Sequence, residues 1–268
     1  MTQIIENLAD VSARYKALFV DLWGCVHNGI TPFPDAVAAL QAYRKTGGKV
    51  ILVTNAPRPR ASVETQLTEM GLPTDSWDVI ATSGDSARSA MYRGAVGNKV
   101  YFIGEDNDQS FFSPLNLIED AAEITKVPLD QAEGIVCCGP FDAQADPDVY
   151  RADFLYAKNK GLKLLCANPD IVVDRGETRE WCAGALAKLY TEMGGESLYF
   201  GKPHPPIYDL ARRRLTALGD NIPDSEILAI GDGIFTDVSG AMGEDLDALF
   251  ITGGLAAVET ATKSQPNP

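Results

Sequence analysis

The stretch Ala17-Leu18-Phe19-Val20-Asp21-Leu22-Trp23-Gly24-Cys25-Val26-His27-Asn28-Gly29 decides how this 268-residue chain is read. An apolar run ends in an acid, and a glycine-punctuated loop follows, as at the C-terminal edge of a buried parallel strand. A second such end lies far downstream, where Ile227-Leu228-Ala229-Ile230 runs into Gly231-Asp232-Gly233-Ile234-Phe235-Thr236-Asp237. In open α/β sheets ligands bind at that edge. A carboxylate placed there can serve as a nucleophile or as a ligand to a hard cation such as Mg2+. Taken singly, either acid would serve equally as a helix N-cap or turn residue. Two strand ends between them change the balance. Lys49–Val53 closes on Thr54-Asn55, a hydroxyl followed by turn N–H groups suited to phosphate oxygens. Leu198–Phe200 closes on Gly201-Lys202-Pro203, where the lysine can meet phosphate as a point charge. Asp, Thr, Lys and Asp-x4-Asp at four strand ends, in that order, point to one site for a phosphoryl group and a Mg2+ ion.

This ordered set resembles the motifs of the haloacid dehalogenase superfamily, and the resemblance covers most of the chain. Asp21–Gly29 is similar to the family's D-x-D-G-V-x-x-x-G loop and Thr54-Asn55 to its T-N loop. Gly201-Lys202-Pro203 is similar to its G-K-P, and Gly231–Asp237 to its G-D-x-x-x-T-D. The segment 97–195 resembles the large α/β cap of the subclass that includes sugar-phosphate, phosphoglycolate and pyridoxal-phosphate phosphatases. Cys166-Ala167-Asn168-Pro169-Asp170 and Cys182-Ala183-Gly184-Ala185-Leu186 look like that cap's own T-N-x-D and G-x-L stretches.

The resemblance implies roles for individual residues. Asp21 would be the nucleophile, forming an aspartyl-phosphate that splits one difficult hydrolysis into two steps; a carboxylate that only ligates metal is the alternative. Mg2+ would be held by Asp21, Asp232 and the backbone carbonyl of Trp23. Asp237 would support the site through Lys202 or a metal-bound water. Thr54 by its hydroxyl and Asn55 by its backbone N–H would bind phosphate, and Lys202 would offset charge on the transferring group. Arg58 and Arg60 follow the phosphate loop in a turn facing the cap, and Arg58 is the candidate for substrate contact. Asn168, Asp170, Arg175, Arg179 and Trp181 lie around a loop before the last cap helix, a region that the resemblance places over the active site, where it would select the leaving group. The implied partner is a small phosphorylated metabolite, and the resemblance leaves room for a homodimer.

One departure bears on the chemistry. Where the family's phosphatases carry a second Asp, which protonates the leaving oxygen and then activates water, this chain has Trp23. An indole N–H does neither near neutral pH, and losing a positioned acid–base typically costs roughly 10²–10⁴-fold. His27, one of only two histidines, could reach the site and titrate near neutral pH. A hydrogen-bonded structural role in the loop is the alternative for His27. His204, which opens a helix after Pro203, reads as a capping or packing residue.

Composition bounds the partners. The formal net charge of −14 argues against nucleic acid or an anionic membrane. An anionic substrate must then be drawn in by local positive groups, with Lys202 and Arg58 the candidates. No stretch approaches the ~20 apolar residues of a membrane span, and Met1–Tyr15 lacks the apolar core of a signal peptide. The five cysteines are odd in number, lack C-x-x-C spacing and sit in apolar runs, which predicts reduced, buried thiols in a cytoplasm and no zinc site.

Strands and helices alternate throughout, which predicts an α/β fold with a doubly wound, mainly parallel sheet. Helices are expected at Asp35–Lys45, Arg60–Met70, Ser83–Tyr92 with Ser83 as N-cap, Asp148–Asn159 and Trp181–Met193. Further strands are expected at Val79–Ala81, Lys99–Ile103, Gly134–Cys138 and Lys163–Ala167. Turn-rich junctions at Gly94–Asn98 and Gly194–Ser197 divide the chain into a discontinuous Rossmann-like core, residues 1–96 and 196–268, and an inserted α/β cap, residues 97–195. Thr262–Pro268 reads as a frayed end.

The leading expectation is therefore a Mg2+-dependent hydrolase of a small phosphorylated metabolite, slow or restricted to good leaving groups. The alternative is a regulatory protein that binds a phosphorylated ligand without turnover. Dehalogenases of the same superfamily also carry an aromatic residue at the Trp23 position, but they work without metal, so Asp232 and Asp237 argue against that chemistry. A nicotinamide-binding protein is disfavoured because no G-x-G-x-x-G follows any strand.

Overall fold

The structure is a computed structural model that describes residues 3–113, 121–175, 178–219 and 221–261. The tail read as a frayed end, Thr262–Pro268, lies outside the described residues. The strands are β1 (Ala17–Val20), β2 (Lys49–Thr54), β3 (Val79–Thr82), β4 (Lys99–Ile103), β5 (Thr125–Lys126) and β6 (Gly134–Cys137). They continue with β7 (Lys163–Cys166), β8 (Val172–Arg175), β9 (Thr178–Trp181), β10 (Glu196–Tyr199), β11 (Ile227–Gly231) and β12 (Asp247–Phe250).

Two five-stranded parallel sheets result. The first has the order β12-β11-β1-β2-β3 and the second β10-β7-β6-β4-β5, with β8 and β9 forming a separate antiparallel hairpin. The residues of β1 alternate between two apolar layers: Leu18 and Val20 face one, Ala17 and Phe19 the other. A strand buried on both faces must be apolar throughout, which is why β1, β2 and β11 read as continuous hydrophobic runs. The second sheet has the same construction, with Ile103, Ile135 and Leu164 facing one layer and Val100, Val136 and Leu165 the other.

The site follows from the first sheet's order. From β1 the chain winds outward through β2 to β3, and from β11 it winds the opposite way to β12. The crevice beyond the C-terminal ends of β1 and β11 is therefore the topological switch point, where α/β sheets bind ligands.

Three expectations need correction. The strand read at Leu198–Phe200 as part of the core is β10, and it pairs with β7 on the second sheet, Leu198 opposite Leu165. Expected to restart the core, residues 196–199 instead form that sheet's edge, because strand propensity is local whereas the choice of partner is set by long-range packing. The helix expected from Trp181 begins at Ala183, because Trp181 closes the β8–β9 hairpin opposite Val172. The N-cap of the helix Ser83–Tyr92 is Thr82, whose Oγ1 accepts the Asp85 N–H at 3.0 Å, whereas Ser83 is its first helical residue.

Candidate active site

The ends of β1 and β11 place Asp21 and Asp232 side by side beneath a cavity of about 400 Å3. Thr54 at the end of β2 and Lys202 in the turn after β10 line the same cavity, together with Asn55, Arg58, Trp23 and Asp237. Every residue expected to hold phosphate or metal is thus brought to one place.

Lys202 is the hub. Its ammonium donates to Asp21 Oδ1 at 2.6 Å and to Asp237 Oδ1 at 2.7 Å, and the residue is only 4% exposed. The other oxygen of Asp237 accepts from Gly233 N–H at 3.1 Å, tying the acid to the turn after β11. The expected link of Asp237 to Lys202 is therefore present. Burial alone would lower Lys202, but Asp21 and Asp237 outweigh it and hold the ammonium well above its ordinary value. Burial pushes the Asp21 carboxyl well above the usual range, against the pull of Lys202 and with Asp237 and Asp232 adding to it. Burial likewise pushes Asp232 up to about 6.

The local backbone is shaped for this crowding. Gly24 has φ +79°, and a Cβ there would overlap the Asp232 carboxylate. Gly24→Ala should push Asp232 aside, add about 1–2 kcal/mol of left-handed strain, and weaken divalent-cation binding; a Mn2+ titration read by proton relaxation checks this. At Gly29, φ +84°, the missing side chain makes room for the Trp23 ring.

Trp23 has a partner that its own sequence neighbourhood gave no sign of. Its Nε1–H donates to the Asp174 carbonyl of the hairpin at 2.8 Å, and the Arg175 guanidinium lies over the indole at 5.4 Å. A second tie joins the halves: Asn55 Nδ2 donates to Asp170 Oδ1 at 2.8 Å, while Asn55 Oδ1 accepts the Lys202 N–H at 2.7 Å. The Asn55 side chain is thus a cross-link between the phosphate loop, the lysine turn and the segment before the hairpin, beyond the backbone role expected of it.

Other candidates separate. Arg58 lines the cavity, its Nη2 donating to Gln66 Oε1 at 2.7 Å. Arg60 pairs with Glu64 on its own helix. Asn168, Asp170, Arg175 and Trp181 line the cavity. Arg179 instead pairs with Asp174 on the hairpin's exposed side. His27 is buried; its Nδ1 accepts the Gly29 N–H at 2.9 Å, and burial lowers its pKa to about 4. A ring that is neutral near pH 7, with Nδ1 already engaged, is poorly suited to protonate a leaving group. His204 stacks on Tyr199 at 4.7 Å, the packing role expected of it. Cys25, which sequence reasoning treated only as a buried thiol, lies beside Asp21 and Asp232. Its position four residues after Asp21 in the same loop was the available signal.

Comparison with known proteins agrees with this geometry. The sequence profile of haloacid dehalogenase-like hydrolases matches residues 18–117, and a HAD-hydrolase-like profile matches residues 199–268. The crystal structure of a haloacid dehalogenase-like hydrolase from Brucella suis is 41% identical, with TM-score 0.88, covering 95% of this chain and 91% of that one. The chain belongs to the haloacid dehalogenase-like hydrolase family. Among relatives of this hydrolase family, the 5'-nucleotidase YutF of Bacillus subtilis is 23% identical over 95% of this chain and 93% of its own length. The glycerol phosphate phosphatase of Mycobacterium tuberculosis, solved in complex with magnesium, shares the fold. It aligns with TM-score 0.68 and 23% identity, over 96% of this chain and 74% of that one. Like these hydrolases, the chain has a Rossmann-like α/β core sheet, and among its described residues no helix is long and apolar enough to cross a membrane.

Proposed function

We propose that the protein is a Mg2+-dependent phosphatase acting on a small phosphorylated metabolite, restricted to leaving groups that depart without protonation. The observation that carries this reading is Lys202 held between Asp21 and Asp237, with Asp232 alongside. Phosphatase names among the relatives support it.

The donor set fits a hard divalent cation. Asp21 and Asp232 each keep one carboxylate oxygen without a protein donor among the described residues, and both side chains line the cavity. Asp21, Asp232 and the Trp23 carbonyl would hold the ion. When bound, Mg2+ supplies the positive charge that lets both buried acids ionise and that offsets the phosphoryl oxygens. Thr54 and the backbone around Asn55 orient the phosphate, and Lys202 balances its charge. An Asp21 oxygen attacks phosphorus, the phosphorus–ester oxygen bond breaks, and an aspartyl-phosphate forms. The ester oxygen leaves as a stabilised anion such as a phenoxide, because Trp23 cannot protonate it. Water then attacks phosphorus, the bond from phosphorus to the Asp21 oxygen breaks, and the water's proton leaves with the released phosphate, a step that Trp23 likewise cannot assist. The five buried, unpaired cysteines support a reducing compartment such as the cytoplasm.

A specific observation favours a second reading, ligand binding without turnover: the residue at the acid–base position is tied to the hairpin instead. Release of p-nitrophenol from its phosphate separates the two. Turnover should require Mg2+, stop on chelation, and vanish in Asp21→Asn. Tight phosphate binding with no turnover at any Mg2+ concentration would establish the second reading.

A further inference from the structure

The turn after β12 reaches back to the acid at the end of β11. The Ile251 N–H donates to the Gly231 carbonyl at 2.8 Å, continuing the register in which Gly231 lies opposite Phe250. The chain that follows, Gly253-Gly254-Leu255, is thereby laid along the cavity wall. There the Leu255 N–H donates to Oδ2 of Asp232 at 2.6 Å. A Cβ at Gly254 would overlap that same oxygen, so only glycine lets the turn come this close. Oδ2 is thus enclosed by backbone and engaged by one backbone donor, whereas Oδ1 has no protein donor among the described residues. We infer that the Leu255 N–H is a positioning group for the cation site: it holds Asp232 by Oδ2 and presents Oδ1 as a one-oxygen ligand. The inference rests on the reading of Asp232 as a metal ligand.

Two consequences follow from the chemistry. A hydrogen bond that orients a ligating carboxylate typically carries ~10–100-fold in metal affinity. It also limits how the acid can bind. Mg2+ demands a compact octahedral set, whereas Ca2+ takes more oxygens and often both from one carboxylate. Lys202 engages Oδ1 of Asp21 in a similar way, so neither acid offers two free oxygens. The arrangement favours a small ion over Ca2+. Any residue except proline supplies a backbone N–H, so the identity of residue 255 gives no sign of this role. The Leu255 side chain is 40% exposed, which allows backbone and side chain to be tested apart.

The test is a Mn2+ titration of the whole protein stripped of divalent ions, read by water proton relaxation, with Ca2+ as competitor. Leu255→Ala keeps the N–H and should retain wild-type binding of both ions. Leu255→Pro removes the N–H and should lose ~10–100-fold in Mn2+ affinity. Ca2+ should then displace Mn2+ more readily than in wild type, because Oδ2 is released to join Oδ1. Equal Mn2+ affinity in the two variants overturns the inference, and so does a loss for both ions in equal proportion. Should Leu255→Pro misfold, Gly254→Ala decides: its Cβ must push Oδ2 off the N–H, and unchanged Mn2+ and Ca2+ binding refutes the role. If wild type binds Mn2+ and only these variants fail to respond, this inference alone falls. If wild type binds no Mn2+, the metal reading of Asp232 falls with it.

Discussion

Lys202→Met should be the most damaging single change to this protein, costing on the order of 3–5 kcal/mol, as expected when one partner of a buried ion pair is removed. Lys202 is 4% exposed and touches both Asp21 and Asp237, so its loss strands buried carboxylates without a cation. The sign of the pH dependence follows. Burial raises Asp21 and Asp232 above the unfolded aspartate value, so the folded state holds their protons more tightly. The stability linked to those protons is present at low pH and is lost as pH rises through the folded-state values. Without Lys202 the pull that opposes the rise of Asp21 disappears. The deficit against wild type should therefore be smallest near pH ~4, where aspartates of the unfolded chain also titrate. It should be largest above pH of about 6, the value to which Asp232 is pushed. Urea denaturation in chelator at both pH values checks this, and a deficit that does not vary with pH would contradict it. Activity should fall by about 10²–10³, the usual loss for one donor that stabilises a developing anion.

Trp23→Asp should raise turnover of sugar phosphates by up to ~10²–10⁴-fold, the usual worth of a positioned acid–base. An activated aryl phosphate should gain less, because its leaving group needs no proton and only the water step is helped. His27 does not mask the effect, since burial holds it neutral at neutral pH and its Nδ1 is already bonded to Gly29. The structure adds a second consequence. The substitution deletes the hydrogen bond to Asp174 and the ring beneath Arg175, so the β8–β9 hairpin loosens and KM should rise for every substrate. Trp23→Phe separates the two effects: it keeps an aromatic ring, drops the N–H donor, and should raise KM without any gain in turnover. Unchanged rates in a folded Trp23→Asp protein would mean that leaving-group protonation does not limit this site. Asp21→Asn should abolish hydrolysis in either background.

Much of this was legible in the chain because the relevant physics is local. Strands buried on both faces must be apolar throughout, so β1, β2 and β11 announced themselves, and the residues that follow them necessarily emerge at the ligand-binding edge. Asp21, Thr54 and Asp232 were found that way, and Lys202 from its turn after a strand. The β8–β9 hairpin was not legible, because Asp174, Arg175, Arg179 and Glu180 give it a polar, half-exposed pattern without strand periodicity. β10 was read as a strand but assigned to the wrong sheet, since its neighbour β7 lies far away in the chain.

Trp23 divides the two kinds of knowledge most clearly. By itself the sequence determined what Trp23 cannot do, because the proton chemistry of an indole is a property of the residue. Only the tertiary structure decided what it does instead, which is to donate to the Asp174 carbonyl across 151 positions of chain. The same holds for Cys25 beside two acids and for Asn55 between Asp170 and Lys202. Periodicity and turn chemistry act over a few residues. Which strand ends and loops meet is decided by how two sheets bury their faces, and that is a property of the whole chain.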